Sequence, residues 1–184
     1  MIRRAEVQDH PWIVATGAEA YADLGDYTRI LPSWLEQPGV LAWIDHDVQG
    51  RGRGFAMLGF YTEDIPRPSS ATSTGTFTDA DADAPRGPNG KRQQVVADLL
   101  ALAVLPAYQR KGIGSKLLEH VIDVAERVAP ASHISQLRLT VAENNTGAQR
   151  LYARTGFRIV EGAATYDRGQ RALRMVRPLK SRSR

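Results

Sequence analysis

Leu102-Ala-Val104-Leu-Pro106-Ala-Tyr108-Gln109-Arg-Lys-Gly112-Ile-Gly114-Ser115-Lys-Leu117 decides how this chain is read. Gln94 to Val104 is a nearly continuous apolar run, the pattern of a central strand buried on both faces, and Pro106 ends it. Beyond the two glycines, Ile113, Leu117, Val121, Val124 or Ala125, and Val128 recur at helical spacing as far as Pro130. The segment is therefore a strand, a glycine turn and a helix start. A helix start carries unpaired N–H groups at the positive end of its dipole, which suits phosphate. Gly112 and Gly114 let the backbone turn sharply and let an anion come close, while Arg110 and Lys111 add charge. A dinucleotide fingerprint needs a third glycine where Leu117 stands, and no Gly-Lys-Ser or Gly-Lys-Thr run exists for a P-loop. On glycine spacing alone, an ordinary tight strand-to-helix turn is an equal reading.

Working outward, Ile2 to Ala5 reads as a short strand, and Asp9 as the N-cap of a helix through Trp12, Val14 and Tyr21. A second helix is expected from Tyr27 to Glu36, broken by Pro32. Val40 to Asp45 and Phe55 to Tyr61 form a hairpin across a glycine-rich turn. After the central strand and long helix, Leu137 to Val141 alternates as a strand and Thr146 to Arg154 suits a short helix. Phe157 to Val160 and Arg171 to Val176 read as strands. Residues 62–93 differ in kind. They are dense in Pro, Ser, Thr, Gly and Asp, too poor in apolar surface to offset backbone ordering, and are expected to be a disordered insertion. The expectation is one domain over residues 1–180 and a basic tail at 181–184.

The chain has 184 residues, enough for one core, with 42% hydrophobic and 24% charged residues, as in ordinary globular domains. No apolar run approaches the ~20 residues that span a bilayer, so no membrane role is expected and a cytoplasmic location is. The absence of cysteine excludes disulfides and thiolate chemistry. The four histidines, His10, His46, His120 and His133, form no close pair, so no metal is expected. Net charge is +4 but scattered, and the single Gly50-Arg-Gly-Arg-Gly54 copy is a weak nucleic-acid signal, so no nucleic-acid partner is expected.

Gln109-x-x-Gly112-x-Gly114, preceded by Leu102-x-Val104-x-Pro106, resembles the acetyl-CoA signature of the GNAT superfamily of N-acetyltransferases. A second block, Asn145-x-x-Ala148-x-x-Leu151-Tyr152-x-x-x-Gly156-Phe157, is similar to that family's later motif. Ala97 to Val104 is also similar to the protein N-terminal alanine acetyltransferase branch, with Asp98 where that branch carries Glu. The resemblance implies an α/β GNAT fold, with helices on both faces of a mixed sheet of about six to seven strands whose central pair splays apart. It implies acetyl-CoA as cosubstrate, with the backbone of Leu102, Ala103 and Val104 along pantetheine. Gln109 and the amides of Arg110, Lys111, Gly112, Ile113, Gly114 and Ser115 would hold the pyrophosphate, and Asn145 and Tyr152 would lie beside the distal arm.

The implied reaction is direct attack of a primary amine on the thioester in a ternary complex. The acceptor would be a peptide N-terminus, a lysine or a small molecule, and the enzyme a monomer or homodimer. A lysine-like amine is about one part in a thousand neutral at pH 7, so a base helps. Asp98 is the candidate base, with Glu143 as another. The Val104 N–H is the candidate donor to the oxyanion, and Tyr152 the candidate acid for the departing thiolate. The residues leave alternatives open: Tyr152 as a core tyrosine, Asp98 in an ion pair, Asn145 as a helix cap. The alternative function is a catalytically silent acyl-CoA sensor. Selectivity for the acceptor is expected to come from Tyr21 to Trp34 and from the loops after the sheet.

Overall fold

The computed structural model describes residues 1–64 and 93–179. Strands β1 (Ile2–Arg4), β2 (Val40–His46), β3 (Gly52–Asp64), β4 (Gln93–Val104), β5 (Gln136–Ala142), β6 (Arg158–Thr165) and β7 (Arg171–Pro178) make one sheet in the order β1-β2-β3-β4-β5-β7-β6. All neighbours are antiparallel except β4 and β5, so the sheet is mixed, as expected. Helices α1 (His10–Ala20) and α2 (Tyr27–Leu35) cover one face. Helices α3 (Ile113–Ser132) and α4 (Thr146–Arg154) pack into the core of the other. β3 shows why two cores exist. Its alternating side chains send Phe55 and Met57 to meet Ile13 and Leu31, and Ala56 and Leu58 to meet Leu117 and Val121.

β4 and β5 pair only at Ala97 with Leu137, Asp98 with Arg138 and Leu99 with Leu139. Both strands continue past the last rung, β4 to Val104 and β5 to Ala142, without pairing to each other. They diverge at their C-terminal ends, and the expected splay is present.

Several boundaries differ from the sequence reading. Pro32 does not break α2, and Pro130 lies inside α3, which continues to Ser132. A proline in a helix forfeits one backbone bond, and here burial of Leu31 on one helix and Ala129 on the other outweighs that loss. α3 ends instead at His133, in the left-handed conformation with φ of 53°. Thr62 to Asp64 and Gln93 belong to β3 and β4, which pair there as Thr62 with Val95 and Asp64 with Gln93. The rest of the expected insertion, 65–92, and the basic tail at 181–184 lie outside the described residues. Among the described residues no helix is long and apolar enough to cross a membrane, and no cluster of His, Asp and Glu could hold a metal.

Candidate active site

The divergence of β4 from β5 opens a cavity of about 950 Å³ along the middle of the sheet. One end of it meets the loop between β4 and α3. Gly112, the residue before α3, has φ of 80°, and Arg110 has φ of 59°, so two left-handed residues turn the chain into the helix. A Cβ at Gly112 would meet nothing within 4 Å, so the glycine is there for its backbone angle. A Cβ at Gly114 would sit 3.5 Å from Leu151 and 3.7 Å from Val104, in the space where α3 starts beside β4 and α4. The first backbone rung of α3 is Lys116 N–H to the Gly112 carbonyl at 3.1 Å. Among the described residues no amide from Arg110 to Ser115 donates to a protein acceptor outside regular structure. These donors, at a helix start and beside a cavity, fit a diphosphate.

The basic pair divides its work. Arg110 lines the cavity. Lys111 folds back, its ammonium donating to the Ala107 carbonyl at 3.0 Å and lying 5.5 Å from the Tyr108 ring centre. Gln109 also serves the loop itself, donating from its side chain to the Val104 carbonyl at 3.0 Å. Asn145 accepts from Ala148 N–H at 3.0 Å, so it caps α4, and it lines the cavity as well. Ladder alternation places the N–H groups of Leu102 and Val104 on the side away from β3, because Leu105 N–H turns to the Arg53 carbonyl on β3 at 2.9 Å. Ala103 faces the other way, and its side chain is buried in the core under α1.

Tyr152 projects from α4, 7% exposed, with its ring 5.9 Å from that of Phe157. The residue lines the cavity, and its hydroxyl makes no hydrogen bond among the described residues. Burial, reinforced by nearby Tyr166, pushes its pKa well above the ordinary phenol value, so the group is a proton carrier at neutral pH. The ring belongs to the core and the residue also lines the cavity.

Asp98 lies in an ion pair. Arg138 grips both of its carboxylate oxygens, Nε to Oδ1 and Nη2 to Oδ2, each at 2.7 Å. The same guanidinium holds Glu63 at 2.8 and 2.7 Å. This double fork raises the Arg138 pKa and lowers that of Glu63, with hydrogen bonding the largest cause in both. A carboxylate held on both oxygens has to break an ion pair to accept a proton from an amine, so the geometry favours the ion-pair role over the base role. Glu143 is exposed and faces Arg171 at 3.4 Å, away from the cavity lining.

The far wall was legible only in part. The α1–α2 connection and the β6–β7 turn meet through Arg168 N–H to the Leu24 carbonyl and the Gln170 amide to the Asp23 carbonyl, both at 3.3 Å. They bring Tyr21, Tyr27, Trp34 and Tyr166 to the cavity. The stretch from Tyr21 to Trp34, expected to set acceptor selectivity, supplies three of these residues. Tyr166 and Arg138 gave no local signal, because only the fold carries them to the opening.

The site is thus a splayed mixed sheet of an α/β protein, with amides at one end of the gap that have no protein acceptor among the described residues and an aromatic mouth at the other. Residues 85–157 match the acetyltransferase (GNAT) family. Over that stretch, which is less than half of the chain, it is similar to N-acetyltransferases. It is 45% identical over 67 residues to the ribosomal protein bS18 alanine N-acetyltransferase of Escherichia coli (strain K12), across 35% of this chain and 43% of that protein. The aligned stretch thus spans less than half of that relative. The crystal structure of the E. coli ribosomal-protein-S18-alanine N-acetyltransferase superposes with a TM-score of 0.66 at 22% identity, covering 97% of this chain and 93% of that one. Arabidopsis thaliana NAA60, in complex with a bisubstrate analogue, gives 0.68 at 16% identity, covering 98% and 99%. At those identities the structural likeness shows the fold.

Proposed function

We propose that this protein transfers an acetyl group from acetyl-CoA to a primary amine, and that the amine is the N-terminal α-amine of a peptide or protein. The observation that carries the reading is the set of unpaired amides from Arg110 to Ser115, opening on a gap that leads to the Tyr152 hydroxyl. Acetyl-CoA, with which NAA60 has been crystallised, supplies an activated thioester when bound. The amides of Gly112 to Ser115 and the Arg110 guanidinium would hold its diphosphate, and the edge of β4 that faces the gap, with the Val104 N–H, would align the pantetheine. Tyr152 supplies the proton that the leaving sulfur needs, and its burial keeps that proton in place until then. The peptide-amine assignment draws support from the Escherichia coli relative, which is named a ribosomal protein bS18 alanine N-acetyltransferase, and from the aromatic mouth between Tyr27 and Tyr166. A cytoplasmic setting is part of the same proposal.

The test is CoA release. Purified protein with acetyl-CoA is offered peptides with free N-termini, lysine peptides with blocked N-termini, polyamines and aminoglycosides, and liberated thiol is followed with a chromogenic disulfide. Release confined to free N-termini is expected. Release confined to another amine class would overturn the acceptor assignment, and binding of acetyl-CoA without release from any amine would leave the silent acyl-CoA sensor.

A further inference from the structure

Tyr21 stands directly after α1, and its hydroxyl accepts a hydrogen bond from Leu102 N–H, 81 residues away, at 2.8 Å. Leu102 lies beyond the last β4–β5 rung at Leu99, so this donor faces the gap between the splayed strands. It is a donor that a ligand carbonyl in the gap would otherwise find free. The ring of Tyr21 is held in place. It lies 4.7 Å from the Tyr27 ring, which is edge-on to Trp34 at 6.1 Å. A phenol can accept a bond and still donate one. Here one lone pair takes the Leu102 N–H, while the hydroxyl proton has no acceptor among the described residues, and the residue lines the cavity. A hydroxyl that is already accepting a hydrogen bond donates a stronger one.

We propose that Tyr21 is a catalytic residue that donates its O–H hydrogen bond to the thioester oxygen as negative charge builds there, with Leu102 N–H polarising the phenol from behind. This rests on the acetyl-transfer reading above. The balance is simple. The amine nitrogen bonds to the acyl carbon and the carbonyl electron pair moves to oxygen, where Tyr21 stabilises it. When that pair returns, the carbon–sulfur bond breaks and sulfur takes a proton from Tyr152, while the nitrogen loses one proton through solvent, which restores Tyr152. Tyr21 gives a hydrogen bond and never loses its proton. The β4 backbone donor expected at Val104 then becomes one member of a site that a side chain from the opposite core completes. Burial keeps the Tyr21 hydroxyl protonated far above neutral pH, consistent with this part.

The rival is a stopper, a hydroxyl that merely occupies Leu102 until the ligand displaces it. Tyr21→Phe separates the two, because phenylalanine keeps the ring contacts. Steady-state kinetics should show kcat lower by about 10- to 100-fold with KM for acetyl-CoA within about threefold. A readout independent of turnover uses two inert analogues, one with a ketone in place of the thioester and one with a plain alkyl thioether. The native protein should favour the ketone analogue by about fivefold, and Tyr21→Phe should erase that preference. Tighter binding of both analogues with unchanged kcat would establish the stopper and overturn the proposal, as would an intact ketone preference. If the native protein releases no CoA with any amine, the acetyl-transfer reading fails on its own, and the analogue preference still decides whether Tyr21 meets the carbonyl.

Discussion

Asp98 and Arg138 are register partners on the parallel pair β4 and β5, one rung before those strands part, and the guanidinium of one grips both carboxylate oxygens of the other at 2.7 Å. The ion pair therefore sits at the vertex of the gap. Sheet pairing on one side and divergence on the other meet at a charge-assisted fork, which gives geometric specificity as well as attraction. Glu63 of β3 completes the fork from the neighbouring strand, so three strands are tied at one point.

Asp98→Asn should cost about 1–2 kcal/mol of stability, a modest loss because Arg138 keeps Glu63 as partner. On the ion-pair reading of Asp98, catalytic turnover should stay within about threefold of the native value. Thermal melts and kcat across pH check both parts. A fall of about 100-fold, with loss of the acidic limb of the pH profile, would reinstate Asp98 as the base.

Tyr152→Phe removes a hydroxyl that makes no hydrogen bond among the described residues and keeps the ring on Phe157. Stability should change by less than about 0.5 kcal/mol, because no described hydrogen bond is lost. Turnover should drop about 10- to 100-fold with acetyl-CoA affinity little changed, the signature of a group needed only as the sulfur leaves. Equal turnover in the variant would remove the proton-donor assignment.

Arg3 holds Asp9 with two hydrogen bonds of 2.7 Å, and the Glu6 amide adds a third at 2.8 Å. The largest effect is the Arg3 bond, and together they bring the Asp9 pKa down to about 2. A depressed carboxylate stabilises the fold above its unfolded value near ~3.9, and that stability is lost as pH falls through the folded value. Asp9→Asn should therefore melt below the native protein from neutral pH down to about 5. The gap should close between about pH 4 and 2. A gap independent of pH would mean that packing, not charge, fixes this corner.

The strand–turn–helix at Val104 to Leu117 was readable because three local signals coincide: an apolar run, a proline stop and glycines before a helical period. The 13-residue β3 was read short, because Gly52 to Gly54 look like turn residues and become strand only through pairing with β2 and β4. The same limit applies to the site. Gly112 and Tyr152 announce themselves by motif, whereas Tyr21, Arg138 and Tyr166 become site residues through contacts 40 to 81 residues away or across the β6–β7 turn. Asp98 was legible as a candidate but not its partner, since a carboxylate's role is set by what faces it. The two prolines misled for a plain reason. Lost helix bonds are visible in sequence, and the burial that offsets them is not.

Binding of acetyl-CoA to Gly112→Asp, measured by calorimetry beside the native protein, tests the diphosphate site most directly. With nothing within 4 Å of a Cβ at Gly112, the variant crowds no protein neighbour. Its effects are a left-handed angle on a side-chain-bearing residue, costing about 1–2 kcal/mol, and a carboxylate aimed at the anion site. Affinity should fall at least about tenfold while the protein still melts cooperatively within several degrees of the native form. Native affinity in a folded Gly112→Asp protein would contradict the placement of the diphosphate on these amides.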